Sequence, residues 1–166
     1  MSVHIVYESL FGNTRLVAEA IAEGFRSGGV EAAVGRVAEA APELPEGTDL
    51  LLVGGPVHAF GMTQQTTRED AVRQGATEGD TKVGLREWIS GITPQPGLRV
   101  LTFDTHVTQK WVPGSAAKQA AEALELRGFA KAERGETFYV HGITGPLADG
   151  EQERAKAWGA RLADRF

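Results

Sequence analysis

Apolar positions along the chain alternate between short continuous runs and helically spaced stripes, and that alternation predicts the elements. Val3 to Tyr7 is a run of β-branched and aromatic residues that reads as a buried strand. Polar and glycine positions from Glu8 onward interrupt it. A helix is predicted from about Thr14 to Ser27, because Leu16, Val17, Ala20, Ile21, Gly24 and Phe25 share one face. Gly28-Gly29 ends it. Val30 to Val37 reads as a weaker strand, and the Pro- and Glu-rich stretch from Ala41 to Gly47 as a surface connection. Asp49 to Val53 is almost wholly apolar, as a central parallel strand covered on both faces should be, and Gly54-Gly55-Pro56 reads as its abrupt end.

Polar residues dominate from Thr63 to Thr81, which reads as a long solvated loop with a helical turn around Arg68 to Gln74, or as a partner-docking insert. Leu85, Trp88, Ile89 and Ile92 mark the next helix. Leu98 to Phe103 reads as the fourth strand, followed by a loop to about Gly114. Small residues Ala117, Ala120 and Ala121 with Leu124 predict a helix packed closely on a sheet. Glu136 to His141 reads as a fifth strand, and Ala155, Trp158 and Leu162 anchor a last helix. Strands alternating with helices predict a doubly wound α/β fold, a three-layer αβα sandwich with right-handed crossovers. A chain of 166 residues without repeat, low-complexity tract or linker fits one domain spanning 1–166.

Composition narrows the chemistry. There is no cysteine, which excludes disulfides, thiolate metal sites and cysteine nucleophiles. No apolar run approaches the roughly 20 residues of a membrane span, and no signal-like segment precedes the first strand, so a soluble cytoplasmic protein is expected. The net charge of −5, without a basic cluster, speaks against nucleic-acid binding. It suits either plain solubility or docking to a basic partner.

Ser9-Leu10-Phe11-Gly12-Asn13-Thr14 lies between the first strand and the first helix, a natural place for a phosphate. Helix N-termini offer unpaired N–H groups and the positive end of the dipole. Ser9, Asn13 and Thr14 add side-chain hydrogen bonds, and Gly12 lets a ligand approach the backbone. The triphosphate motif G-x-x-x-x-G-K-[ST] and the three-glycine dinucleotide fingerprint are both absent. The plainer alternative is an ordinary helix start capped by Asn13 or Thr14.

Tyr7 to Thr14, with the helix that follows, resembles the phosphate segment of flavodoxins, in which a Ser or Thr precedes Gly-x-Thr. Ser9, Gly12 and Thr14 match that pattern; Phe11 departs from it by lacking a hydroxyl. The loop Gly55-Pro56-Val57-His58-Ala59-Phe60-Gly61 resembles the second loop of a branch of flavodoxin-like proteins. The resemblance implies a five-stranded parallel sheet of order 2-1-3-4-5, with ligands at the carboxyl ends of the strands beside the switch point. It implies FMN as cofactor, with Ser9, Leu10, Phe11, Gly12, Asn13 and Thr14 on its phosphate. Pro56, Val57, His58, Ala59, Phe60 and Gly61, together with Asp104, Thr105 and His106, would frame the ring.

In this reading His58 or Phe60 covers one ring face and His106 or Trp111 the other, although Trp111 reads equally as a surface aromatic. Gly61 either permits a peptide flip toward the ring or is a simple turn glycine. Asp104 alone reads as a strand-end turn residue, and Trp88 and Trp158 as core. His58, His106 and Asp104 lack the local spacing of a metal motif. Ser9 lacks the nucleophile elbow of a hydrolase. The expectation is an FMN-binding electron-transfer protein serving redox protein partners, a monomer or weak dimer. The alternatives are an FMN-dependent NAD(P)H:quinone-type reductase and a flavin-free interaction module.

Overall fold

The computed structural model describes residues 1–109 and 111–165; residue 110, inside the expected third loop, lies outside the described set. The elements run β1 (Ser2–Tyr7), α1 (Asn13–Ser27), β2 (Glu31–Arg36), β3 (Leu50–Pro56), α2 (Gln65–Arg73), α3 (Leu85–Gly91), β4 (Arg99–Val107), α4 (Ala116–Arg127), β5 (Lys131–Val140) and α5 (Glu151–Ala163). The strands form one parallel sheet of order β2-β1-β3-β4-β5, the expected doubly wound arrangement.

Two apolar layers sandwich the sheet. Val17, Ile21 and Phe25 of α1 and Ala155, Trp158 and Leu162 of α5 cover one face, over Ile5, Leu52 and Phe103. Leu85, Trp88 and Ile89 of α3 with Ala116, Ala120 and Leu124 of α4 cover the other, over Leu51, Val53 and Val100. Leu50, Leu51, Leu52 and Val53 are all fully buried because β3 is central and covered on both sides. Each such side chain contributes roughly 1.5–3 kcal/mol by burial. Trp158 meets Phe103 edge-on with ring centroids 6.4 Å apart, and Phe138 at 6.0 Å, so the two expected core tryptophans are in the core.

Helices α1 and α5 touch backbone to backbone. A methyl group on Gly24 would lie 2.1 Å from the Lys156 carbonyl oxygen, and one on Gly159 would lie 2.1 Å from that of Ile21. Gly24 therefore sits on the apolar face of α1 because nothing larger fits.

Four boundaries differ from the sequence reading. β3 continues through Gly54, Gly55 and Pro56, which pair with Phe103, Asp104 and Thr105. These glycines do not break the strand. A methyl on Gly54 would lie 2.1 Å from the Phe103 ring, so they make room for neighbouring side chains. β4 runs on to Val107, which places Asp104, Thr105 and His106 in the strand and not in a loop. β5 starts at Lys131, five residues early; its first half lies on the sheet edge and is mostly exposed or half-buried, so it carries charge in place of an apolar pattern. The polar stretch after Thr63 contains a nine-residue helix, α2, of which only Arg68 and Ala71 are buried. Its start is fixed by Thr67, whose hydroxyl oxygen accepts from the Gln64 N–H at 2.9 Å.

Candidate functional site

At the carboxyl ends of the strands, an open cleft is walled by four segments. Ser9, Leu10, Phe11, Asn13 and Thr14 come from the β1–α1 loop, and Pro56, Val57 and His58 from the end of β3. Thr105, His106 and Val107 come from β4, and Val140, Gly142 and Ile143 from the end of β5. The first three walls were expected. The fourth was missed; the available signal was a glycine-flanked turn, residues 142–145, after a strand on the same edge of a parallel sheet.

The β1–α1 loop is built around Gly12. It is the N-cap of α1, sits at φ 93° in the left-handed region and provides no side-chain cap. Neither Asn13 nor Thr14 caps the helix, contrary to the plainer alternative. The Gly12 N–H donates to Ser9 Oγ at 3.1 Å, closing the turn. Thr14 Oγ1 and Thr105 Oγ1 lie 2.8 Å apart in a buried hydroxyl pair that joins the first wall to the third. Asn13 Nδ2 donates to the Thr144 carbonyl at 3.3 Å, drawing in the fourth wall. Asn13 and Thr14 thus line the cleft at a helix start whose amides no side chain caps. Behind the loop, Glu78 N–H donates to the Leu10 carbonyl at 3.1 Å, and Arg15 Nε donates to Glu78 Oε1 at 2.8 Å. The segment read as a solvated loop therefore braces the site from outside.

The second wall turns through a tight hairpin. His58 and Gly61 exchange backbone hydrogen bonds at 2.9 and 3.1 Å, so Ala59 and Phe60 make the whole turn, at φ 46° and 72°. Left-handed backbone at residues with a Cβ costs on the order of 1–2 kcal/mol each. The turn is held from outside, where Ser115 N–H donates to the Phe60 carbonyl at 3.2 Å. Phe60 itself is 64% exposed and Ala59 faces a neighbouring hollow; neither they nor Gly61 lines the cleft. Gly61 is not the left-handed residue; its small size matters because a methyl there would lie 2.4 Å from Gln119 Oε1. His58 is half-buried, and burial, followed by the charge of Arg68, pushes its pKa below the ordinary imidazole value.

On β4, side chains alternate. Thr105 faces Thr14, whereas Asp104 faces α4 and does not reach the cleft. The buried Asp104 carboxylate accepts from Thr137 Oγ1 at 2.6 Å, Ser115 Oγ at 3.0 Å and Ala117 N–H at 2.9 Å. It ties β5 and the start of α4 to β4, and neither a turn role nor a ring-framing role matches that position. His106 lines the cleft, with Nδ1 2.7 Å from the Val107 carbonyl and its ring edge-on to Tyr139. Trp111 is 82% exposed and is not among the cleft-lining residues.

A parallel sheet of order 2-1-3-4-5 with a cleft over its switch point, floored by a glycine-turned helix start, defines a doubly wound α/β domain. The chain belongs to the flavodoxin family, whose model matches residues 5–158. Bacillus cereus flavodoxin 1 superposes with a TM-score of 0.71 at 18% identity, over 100% of this chain and 99% of that one. A flavodoxin from the domain Archaea gives 0.66 at 19% identity, over 99% and 98%. Two-electron-reduced Megasphaera elsdenii flavodoxin gives 0.59 at 19% identity, over 96% and 98%. No curated protein matches the chain. Among the described residues no helix is long and apolar enough to cross a membrane.

Proposed function

We propose that the protein binds FMN in this cleft and carries electrons between redox protein partners. The observation that carries the reading is the start of α1: amides without a side-chain cap, opened by left-handed Gly12 at the floor of a cleft that four strand ends enclose. That geometry favours a dianionic phosphate through directed N–H groups and the helix dipole, without a lysine. Ser9, Asn13 and Thr14 all line the cleft from this turn. Phe11 offers no hydroxyl, so the backbone amides would supply that contact. Family membership supports flavin as the ligand class.

FMN, when bound, supplies one- and two-electron chemistry; the chain supplies orientation and field. Pro56, Val57 and His58 would face one side of the ring, and Thr105 and His106 the other. The apolar walls Val57, Val107, Val140 and Ile143 would exclude water from it. Burial favours the neutral form of His58, which presents a polarisable ring to the cleft.

Titration of flavin-free protein with FMN, followed by flavin fluorescence, tests the reading. One-to-one quenching is expected, and Thr14→Ala should weaken it about 10- to 150-fold, the range for losing a hydrogen bond to a charged group. Asn13→Asp, which puts a carboxylate beside the phosphate, should weaken it at least as much. Absence of binding at tens of micromolar FMN would refute the proposal.

A further inference from the structure

Behind the His58 wall lies a charged group that the phosphate and ring contacts do not use. Arg68 of α2 is completely buried, yet only its Nη1 has a partner, donating to Glu87 Oε1 at 2.6 Å. Its Nε and Nη2 are buried without a hydrogen-bond partner. Two further groups, Glu8 and Thr63, lie near the guanidinium. A methyl on Gly84 would fall 2.2 Å from Arg68 Nη1, 2.6 Å from Glu8 Oε1 and 2.9 Å from Thr63 Oγ1, so all three converge on one glycine. Glu8 immediately precedes Ser9 and is itself buried; it accepts from Thr63 Oγ1 at 2.5 Å and from Leu85 N–H at 2.8 Å.

The two carboxylates near Arg68 offset its charge only in part. Burial raises the Glu8 pKa and favours its neutral form, against the opposing pull of Thr63, the Leu85 amide and Arg68. The Glu87 side chain is 40% exposed, so water screens it, whereas Arg68 is screened by nothing but protein. The charge reaches the cleft wall, because it is one of the two causes that lower the His58 pKa. Thr67 and Ala71, on either side of Arg68 along α2, share a hollow with Val57 and His58.

We propose that Arg68 is a positioning residue whose buried, half-unpartnered guanidinium gives the cleft a fixed positive field behind His58, favouring the electron-rich form of a ring bound there. On the FMN reading, on which this inference rests, Arg68 raises the reduction potential of the bound flavin. It touches no ligand; it acts through the protein between.

Two measurements test it. In flavin-free protein, proton NMR titration of His58 should show its pKa rising in Arg68→Met and staying near the parent in Arg68→Lys. In FMN-loaded protein, the preference for reduced over oxidised flavin should fall on the order of tenfold in Arg68→Met, the scale for a unit charge acting over roughly 10 Å of protein interior. It should hold in Arg68→Lys and rise in Glu87→Gln, which removes the countercharge. A packing role would not give opposite signs in Arg68→Met and Glu87→Gln. An unchanged potential in Arg68→Met, or shifts of the same sign in both, overturns the inference. Should Arg68→Met fail to fold, as circular dichroism would show, Glu87→Gln decides by the sign of its shift. If FMN does not bind at all, the functional reading fails, and the His58 titration still decides whether Arg68 sets the field.

Discussion

Replacing Asp104 by alanine removes one buried carboxylate that holds three elements together. Its partners are the Thr137 hydroxyl on β5, the Ser115 hydroxyl at the N-cap of α4, and the Ala117 amide in the first turn of α4. Hydrogen bonds to a charged acceptor are worth about 1.5–3 kcal/mol each. The two hydroxyls can turn toward other acceptors, but the Ala117 N–H cannot, and removing the carboxylate also relieves its desolvation. A net loss of about 3 kcal/mol is expected, or roughly 6–12 °C in melting temperature for a chain of this size. Asp104→Asn keeps the shape and one acceptor and should fall between. Because Asp104 faces α4, FMN affinity of the folded variant should stay within about twofold of the parent. Thermal melts followed by circular dichroism, paired with flavin titration below the transition, give both quantities. A parent-like melt, or a tenfold loss of FMN affinity with a parent-like melt, would refute the placement of this carboxylate.

Two further outcomes follow from packing and burial. Gly24→Ala should destabilise by several kcal/mol in urea unfolding, despite the roughly 1 kcal/mol helix preference of alanine, because the methyl meets the α5 backbone. For Glu8, the folded-state pKa lies above the unfolded one, so its contribution is complete below the ordinary carboxylate range and is lost as pH rises through the folded value. Glu8→Gln should therefore be more stable than the parent at neutral pH, with the advantage shrinking on acidification; unfolding curves at several pH values that show a constant gap would contradict this.

Much of the architecture was legible in the chain, for reasons that also explain what was not. β1, β3 and α1 are buried, so their apolar periods were written in full, and the loop between β1 and α1 could be read from glycine, hydroxyls and position. α2 buries only Arg68 and Ala71, and the first half of β5 is an exposed edge, so neither carried a period to detect. Gly54 and Gly55 looked like breakers because sequence does not show that Phe103 and Leu85 fill the space above them. Asp104 and Thr105 looked equivalent as neighbours at a strand end; only the continuation of β4 sends them to opposite faces. The Arg68 cluster was invisible because its members, Glu8, Thr63, Arg68 and Glu87, are far apart in sequence and each is ordinary alone.

The contact of α1 with α5, glycine on backbone at both helices, also bears on when the cleft can exist. The strand ends that make three of its walls are complete once β4 is made, but Gly142 and Ile143 and the helix that clamps α1 come from the last quarter of the chain. During synthesis the phosphate-facing turn would emerge early and wait, its helix bare on the face that Trp158 and Leu162 later cover. On the FMN reading, ligand capture would wait until α5 has been made and docked, and in refolding it should trail the return of helical signal. A flavin would serve as a reporter of molecules in which α5 has docked on α1, since nascent chains lacking α5 would have no closed site to offer it.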